Sequence, residues 1–356
     1  MPMNSELENT LAGCLVGTSI GDALGLPAEG LTRERQALMY PDLGGYHFFF
    51  GKGMVSDDSE HTFMLAQALI SSRQSPEQLQ HRFSWKLRFW LLGLPAGLGG
   101  TTLKACLRLW LGIPPERSGL FSAGNAPAMR SALLGIIYGH DLKTLRNYVR
   151  AATRLTHTDP AAEYGAMAVA LAASLGTRYQ RVDPEQYYQY LKEACRDDNS
   201  NFIVLMRKTT RSVQHKESLR EFLLRLKCGH GISGYIQHTV PAVIHIWLTH
   251  QDNFRLAMLE TIHAGGDTDT TAAIMGAIMG ARIGFKDLPQ DWVDNLIEWP
   301  RSVRWQRELA ARLAASLEED TPHKELPVNV AGILLRNLFF MMWVLLHGFR
   351  RYLPPY

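Results

Sequence analysis

The chain has 356 residues, of which 46% are apolar and 20% are charged, and its formal net charge is +3 at neutral pH. This composition excludes an intrinsically disordered protein, and the net charge is too small to argue for binding to nucleic acid or to an anionic membrane. A chain of this length can bury a sizeable core, as one large domain or two ordinary ones.

The cysteines and the first residues bear on the cellular compartment. Cys14, Cys106, Cys195 and Cys228 form no C-x-x-C pair, so the sequence predicts neither a zinc site nor a disulfide framework. The opening stretch MPMNSELENTLAG contains acidic residues and lacks the basic region and long apolar core of a secretory signal. We therefore expect a protein of the reducing cytoplasm with free thiols.

The first predicted element is a helix over residues 8–25 that carries glycines at strict four-residue spacing. These are Gly13, Gly17, Gly21 and Gly25. Such residues lie on one side of a helix, and each costs roughly 1 kcal/mol relative to Ala in a helix interior. A similar ridge recurs near the end of the chain at Gly276, Gly280 and Gly284. Glycine ridges allow close backbone approach, so we predict that the two helices pack against each other.

A first acidic cluster follows in VSDDSEHTFMLAQALI, residues 55–70. Asp57 and Asp58 directly precede an apolar run of helical spacing, with Ser56 and Ser59 on either side. Ser and Asp side chains accept hydrogen bonds from the free N–H groups of a first helical turn, and negative charge suits the helix dipole there. Helix capping alone is a sufficient explanation of this cluster taken by itself.

Apolar residues at three-to-four spacing continue through the middle of the chain, as in AEYGAMAVALAASLG and SLREFLLRLKCG. No convincing period-two alternation marks a strand. We predict an all-α fold of compact, orthogonally packed helices, with one domain over residues 5–318. A polar linker over 319–329 and a C-terminal apolar helical extension over 330–356 would follow.

A second acidic cluster, in HAGGDTDTTAAIMGAIMG, changes the interpretation of the first. Asp267 and Asp269 alternate with threonines after Gly265 and Gly266, again before a helix. Capping explains one of these carboxylates but not two with a Gly-Gly turn before them. Four carboxylates that converged without a cation would repel one another.

Together the two clusters offer hard oxygen ligands of the kind that Mg²⁺ or Mn²⁺ prefers. The candidate ligands are Ser56, Asp57, Asp58, Asp267, Asp269 and Thr270. If the glycine-ridged helices pack together, both clusters lie at helix starts and can meet, which predicts a metal site, most simply a two-metal one. The alternative is a pair of unrelated helix caps.

Six short motifs in order give the chain a recognisable pattern. They are GDALGLPAEG (21–30), SDDSEHT (56–62), GLGGTT (97–102), AGNAPAMRSALLG (123–135), LTHTDP (155–160) and AGGDTDTTAAIMGAIMGA (264–281). Each is weak alone, and their order makes the signal specific. The sequence resembles the ADP-ribosylglycohydrolase family, which includes the dinitrogenase-reductase-activating glycohydrolases.

The resemblance implies a compact all-α protein with two Mg²⁺ or Mn²⁺ ions at the bottom of an ADP-ribose cleft, bound by the six ligands given above. It implies that Glu29 lies on a loop that reaches the metal site. The implied substrate-binding residues are Gly99, Gly124, Asn125, His157 and Gly231. Asp57 or Asp58 would position or deprotonate a water molecule, and Glu29 is the alternative general acid or base. The implied partners are ADP-ribose and an ADP-ribosylated acceptor such as a protein arginine or serine.

Some positions depart from the family pattern. Ser56 replaces a more usual threonine and keeps the oxygen, His263 stands where many members carry asparagine, and Asp159 occupies a place often held by histidine. Three other functions remain open: a non-catalytic, crystallin-like ADP-ribose-binding protein, a hydrolase of small ADP-ribosyl esters, and an immunity protein against an ADP-ribosyltransferase toxin. Every proposed ligand position keeps an oxygen side chain, which favours an enzyme. The sequence contains no G-x-x-x-x-G-K-[ST], H-E-x-x-H or G-x-S-x-G motif.

The segment VAGILLRNLFFMMWVLLHGFRR, residues 330–351, lies outside the family pattern. Its uninterrupted apolar stretch, residues 338–346, is shorter than the ~20 residues of a spanning helix. A buried terminal helix or a homodimer contact, a membrane-surface helix and a transmembrane anchor are the alternatives, in that order of preference.

Overall fold

A computed structural model of the protein describes residues 3–72, 75–196, 200–319 and 322–354. Across these ranges the regular structure is helical and contains isolated bridges but no strand, which confirms the predicted all-α class. The helices are α1 (Met3–Gly25), α2 (Arg33–Met39), α3 (Asp57–Ser71), α4 (Pro76–Leu92), α5 (Gly100–Trp110), α6 (Pro115–Ser118), α7 (Ala126–Met129), α8 (Ala132–Tyr138), α9 (Leu142–Arg154), α10 (Pro160–Arg178), α11 (Pro184–Cys195), α12 (Asn201–Gln214), α13 (Leu219–Arg225), α14 (Ile236–Thr249), α15 (Phe254–His263), α16 (Thr268–Ile283), α17 (Gln290–Asp294), α18 (Val303–Glu318) and α19 (Val330–Arg350).

The centre of the fold is the contact between α1 and α16, the most extensive between any two helices described. The glycine ridges of the two helices face each other, which confirms the predicted packing. A Cβ on Gly13, Gly17 or Gly21 would overlap a main-chain oxygen of α16. Helix α10 packs against α16 and is buried along almost its whole length, so its small side chains extend the same core.

Residues 322–329, which precede α19, run along α3 rather than away from the domain. The Gln67 side chain donates to the carbonyl of Leu326 at 2.7 Å and accepts from the Leu326 amide at 2.9 Å. The Lys86 ammonium pairs with Glu325 at 2.7 Å. Helix α19 is thereby held beside the loops that precede α3.

Helix α19 is joined to the domain by a buried group of ion pairs. Arg336 pairs with Glu298 at 2.7 Å, and Arg301 pairs with both Glu60 and Glu298. Although burial opposes its ionisation, the guanidiniums of Arg301 and Arg336 hold the pKa of Glu60 below its ordinary value. Since a buried charge without its partner is costly, these contacts fix α19 in place.

Cys14, Cys106 and Cys228 are free thiols and are buried. Burial raises the pKa of Cys228 to about 11, so its thiol stays protonated at neutral pH. Within the described residues, two helical segments are long and apolar enough to cross a membrane. The first, Ser5–Ala28, is fully buried as the core helix, whereas the second, Val330–Arg350, has only 17% of its apolar window buried.

Candidate active site

The first acidic cluster lies at the start of α3, and the residue that caps this helix is a serine rather than an aspartate. Ser56 is the N-cap, and its hydroxyl accepts from the Asp58 amide at 3.4 Å. Asp57 and Asp58 occupy the first helical turn, so neither carboxylate is needed as the cap. The Asp58 Oδ1 atom is buried and has no hydrogen-bond partner. A carboxylate oxygen in that state is available to a ligand.

The second acidic cluster lies at the start of α16, and it is not used as a cap either. Asp267 is the N-cap residue, but its side chain accepts no capping hydrogen bond. Its Oδ2 atom accepts instead from the Asn125 amide at 2.6 Å. Gly265 and Gly266 precede it with φ of +72° and +84°, a conformation that glycine adopts without strain. The predicted tight Gly-Gly turn is therefore present.

The α1–α16 packing brings the two clusters together. The Thr270 hydroxyl donates to Asp58 Oδ2 at 3.2 Å, across 212 positions of the chain, and the Ser56 hydroxyl donates to the same oxygen at 3.2 Å. Because Asp58 receives hydroxyls from both helix starts, the interpretation as two unrelated caps fails.

A cleft of about 570 Å³ opens above these helix starts. This volume lies in the range of small-molecule sites. Eight of the residues singled out from the sequence line it: Glu29, Asp57, Gly99, Asn125, Gly231, Asp267, Asp269 and Thr270. Ser56 and Asp58 are buried beneath its floor. The cleft thus has an acidic floor and glycine-rich walls.

Burial and mutual repulsion set the electrostatics of the floor. Burial raises the pKa of Asp58 well above its ordinary value, and the charges of Asp57 and Asp22 raise it further. Burial likewise raises the pKa of Asp57, followed by the charge of Asp22. The pKa of Asp269 rises for the same reasons, with Glu29 as the strongest charged neighbour. Such a group of carboxylates is poised to bind cations.

Glu29 is carried by a loop that is tied to the second cluster. The Gly30 amide donates to the Gly266 carbonyl at 2.6 Å, and the Gly266 amide donates to the Leu31 carbonyl at 2.8 Å. Burial and the charge of Asp267 raise the pKa of Glu29, while Arg351 acts in the opposite direction. The loop therefore holds Glu29 over the acidic floor.

Gly124 and His157 were predicted to bind substrate, and neither is among the residues that line the cleft. His157 lies behind Gly124, where a Cβ added to the glycine would come within 2.8 Å of His157 Nε2. Burial, with Arg130 as a lesser cause, lowers the pKa of His157 to about 3, so the imidazole is neutral. In this structure His157 supports the loop that presents Asn125.

Sequence reasoning missed Asp22, which lies beneath the first cluster. Its carboxylate accepts from the Ser56 amide at 2.9 Å and from the Ser59 hydroxyl at 2.6 Å, which orients the start of α3. Burial raises the pKa of Asp22 to about 6, against the effect of these hydrogen bonds. The available signal was its place in the same GDALGLPAEG motif as Glu29. Gly97 and Thr102, from the motif that contains Gly99, also line the cleft.

Helix α19 contributes to a second, smaller cavity of about 120 Å³ next to the cleft. Glu29, Ser56 and Gly97 form one side of it, and Phe340, His347 and Arg351 lie on the other. The Arg351 guanidinium donates to the carbonyl of Pro27, two residues before Glu29, at 3.3 Å. The extension that the sequence left unassigned is thus a neighbour of the Glu29 loop.

The donor set suits a hard divalent cation. Among the described residues no three His, Cys, Asp or Glu side chains are already arranged to hold one metal ion. The oxygens that do meet are mixed, because Asp58 is joined by the hydroxyls of Ser56 and Thr270. With Asp57, Asp267 and Asp269 lining the same cleft, the residues offer the carboxylate and hydroxyl oxygens that Mg²⁺ and Mn²⁺ prefer.

Comparison with known proteins agrees with this geometry. The model of the ADP-ribosylglycohydrolase family matches residues 3–323. The chain is 27% identical to the ADP-ribosyl-[dinitrogen reductase] glycohydrolase of Rhodospirillum rubrum, over 85% of this chain and 95% of that protein. It is 28% identical to the ADP-ribosylarginine hydrolase Tri1 of Serratia proteamaculans, over 83% of this chain and 78% of that protein.

A solved structure shares the fold. One chain of an ADP-ribosylglycohydrolase-related protein complex superposes with a TM-score of 0.63, at 22% identity, over 87% of this chain and 99% of that chain. The family match ends before α19 begins, so that helix lies outside the shared region.

Proposed function

The chain belongs to the ADP-ribosylglycohydrolase family of enzymes, and we propose that it is a metal-dependent hydrolase that removes ADP-ribose from a modified protein side chain. The proposal rests above all on one contact, the hydrogen bond from Thr270 to Asp58 that joins the two acidic helix starts under the cleft. An arginine or serine side chain is the proposed acceptor. Arginine is the first to test, since the Serratia relative is named for that linkage.

We propose that two Mg²⁺ or Mn²⁺ ions bind at the cleft floor, as the sequence suggested. The ligands would be Ser56, Asp57, Asp58, Asp267, Asp269 and Thr270. When bound, the ions would supply positive charge that orients the ribose hydroxyls and stabilises charge developing on oxygen. The charge would also relieve the repulsion among carboxylates whose pKa values are raised by burial and by one another.

The chain's own groups account for the remaining steps. The bond from C1″ to the acceptor atom breaks with its electron pair going to the acceptor, and the nearby carboxylates stabilise the oxocarbenium-like state. A water oxygen bonds to C1″ and gives up a proton to Asp57 or Glu29, both of which line the cleft. The acceptor takes up a proton as it leaves.

The cleft walls would hold the nucleotide part of the substrate. Asn125 is fixed at the cleft by its hydrogen bonds to Asp267 at 2.6 Å and to Thr239 at 3.0 Å. At Gly99 a side chain would meet nothing within 4 Å, so the wall is open there to a ligand. Glycine loops let a backbone approach a phosphate closely. We therefore assign ADP-ribose binding to the loops around Gly99, Asn125 and Gly231.

The test is release of ADP-ribose from proteins or peptides modified at arginine and at serine, measured with Mg²⁺ and with EDTA. Asp57→Asn removes one carboxylate from the cleft floor, and we expect it to lose release by at least about 100-fold, the usual scale for a general acid or base. Asp183→Asn is the matched control, because Asp183 is an exposed N-cap on α11 where asparagine caps equally well.

The outcomes separate the competing functions. Metal-dependent release that Asp57→Asn abolishes and Asp183→Asn leaves intact supports the proposal. Binding of ADP-ribose by calorimetry, without release from any substrate, would identify a binding protein on this scaffold. Release that persists in EDTA would contradict the metal requirement.

A further inference from the structure

Helix α19 has an inner face that is covered by the domain and an outer, apolar face that is not. The inner face buries Arg336, Asn337 and Phe340 against the domain. The outer face leaves large side chains in solvent, among them Leu335 at 61%, Leu345 at 55% and Phe349 at 68% exposure. A contiguous row of large exposed apolar side chains usually marks an interaction site. We therefore expect the outer face to bind a partner.

The exposed apolar surface extends beyond this helix. Leu92, the last residue of α4, and Leu94, just after it, are more than half exposed, and Gly93 between them packs beside Ile333 of α19. Phe50, which is 83% exposed, lies against Trp343 with ring centroids 5.6 Å apart. Exposed patches that continue over several elements mark interaction sites.

A groove of about 870 Å³ continues this surface at the start of α19. Its apolar lining includes Leu92 and Leu334, and its charged lining includes Arg82, Lys324 and Glu325, of which Glu325 pairs with Lys86. An apolar trough with more cations than carboxylates in its lining has the chemistry to take an acyl chain below an anionic headgroup.

The charges on this part of the chain favour a lipid surface over a second copy. No aspartate or glutamate occurs after Glu325, whereas the exposed Arg350 follows the apolar stretch. Two copies meeting through α19 would have no carboxylate on these helices to pair with that cation. An anionic bilayer complements both the apolar stripe and the basic end, as it does for interfacial amphipathic helices.

We propose that α19, with the exposed side chains of residues 50, 92 and 94, docks the protein onto the surface of a bilayer containing anionic lipid. The helix lies in the interface with its outer face down and does not span it, because its inner face is held by the buried ion pairs of Arg336. This docking is independent of the proposed hydrolase activity. It would hold the cleft next to the membrane, since the inner face of the same helix borders the Glu29 loop.

The test is co-sedimentation of the full chain with vesicles. Equimolar phosphatidylcholine and phosphatidylglycerol vesicles are compared with pure phosphatidylcholine vesicles, at low and high salt. We expect binding to the anionic vesicles that weakens with salt, because exposed charges are screened. In the double variant Leu335→Gln and Leu345→Gln we expect the partition coefficient to fall by at least about tenfold, because two leucines that would be partly buried in the bilayer are replaced by polar side chains.

The matched control is Leu224→Gln on α13, which is 59% exposed and borders a separate cavity away from α19. It should bind vesicles as the unmodified chain does, and circular dichroism should show all variants folded. Equal vesicle binding by the double variant would overturn the proposal, and so would absence of binding. If binding is absent and light scattering finds a dimer that the double variant dissociates, the outer face is covered by a second copy instead.

Discussion

Replacing Asp58 by asparagine should stabilise the metal-free protein while destroying its response to metal. The variant keeps an oxygen to accept from Ser56 and Thr270, each at 3.2 Å from Asp58 Oδ2. It removes a buried charge that lies among other carboxylates and whose pKa is raised well above its ordinary value. A group that is harder to ionise in the folded state than in the unfolded chain opposes folding at neutral pH.

The magnitude follows from the burial of Asp58 among other carboxylates, since a buried charge that lacks a cationic partner costs about 3 kcal/mol. In the variant the amide nitrogen takes the place of Oδ1, which has no hydrogen-bond partner, so the nitrogen has no acceptor. This unsatisfied donor reduces the gain in the free energy of unfolding by about 1 kcal/mol. The net gain is about 2 kcal/mol. At about 2.1 cal/mol/K per residue, the unfolding entropy of 356 residues converts this into a Tm increase of about 3 °C.

The assay is differential scanning calorimetry of the purified protein at neutral pH, in EDTA and in Mg²⁺. Mg²⁺ at about 100 times its Kd adds about 2.7 kcal/mol, so the unmodified protein should gain about 4 °C. Asp58→Asn should start higher in EDTA and gain almost nothing from Mg²⁺. Asp183→Asn should match the unmodified protein in both conditions. If Asp58→Asn melts lower in EDTA and keeps the full Mg²⁺ shift, the cleft carboxylates neither repel one another nor bind the ion.

The remaining predictions concern pH, packing and the C-terminal helix. The stabilisation by Asp58→Asn should be absent below about pH 4 and should grow as the pH rises above that value, because a raised carboxyl pKa opposes folding only once the unfolded chain ionises; Tm series in EDTA measure this. Gly21→Ala should cost about 3 kcal/mol in urea denaturation, since its Cβ would overlap the Ala272 carbonyl. Arg336→Met should cost about 3–5 kcal/mol in the same assay, because it leaves Glu298 buried without its closest cation. Arg351→Ala should speed amide hydrogen exchange in residues 29–31 about fivefold, the equivalent of the ~1 kcal/mol hydrogen bond to Pro27.

The three variants at Gly21, Arg336 and Arg351 have matched controls. Gly100→Ala places a methyl group where nothing lies within 4 Å. Arg181→Met breaks an exposed pair with Asp252, which is worth at most about 1 kcal/mol. Arg350→Ala removes contacts only to carbonyls at its own end of the chain, of Leu353 and Pro354. If a control variant changed stability or hydrogen exchange as much as its test variant does, the contact assigned to the test residue would be refuted.

Much of the site could be predicted because its chemistry is local in sequence. Asp57 and Asp58 are adjacent, Asp267 and Asp269 are two apart, and each pair lies at the start of a helix. The glycine ridges identified which helices pack, because four-residue spacing has one geometric meaning on a helix. Asp22 was missed because a buried carboxylate inside an apolar helix shows its role only through distant partners, here Ser56 and Ser59.

His157 shows the limit in the other direction. Its motif suggested a substrate contact, but a side chain's neighbours depend on which loops the fold brings together. In the structure the imidazole lies behind Gly124 and is not among the residues that line the cleft, and burial keeps it neutral. Residue type and order carried no information about which side of the Gly124 loop the histidine would occupy.

The sequence by itself determined the all-α class and the pairing of the two glycine-ridged helices, because periodicity and residue type fix these locally. It also predicted that the proposed oxygen ligands lie at helix starts, which are those of α3 and α16. Only the tertiary structure decided how α19 packs. Its composition favoured a buried helix or a dimer contact over a membrane-surface helix or a membrane anchor without deciding among them. The buried pairs of Arg336 with Glu298 and Glu60 commit one face to the domain, and those partners lie 38 and 276 positions away, beyond what any local pattern can specify.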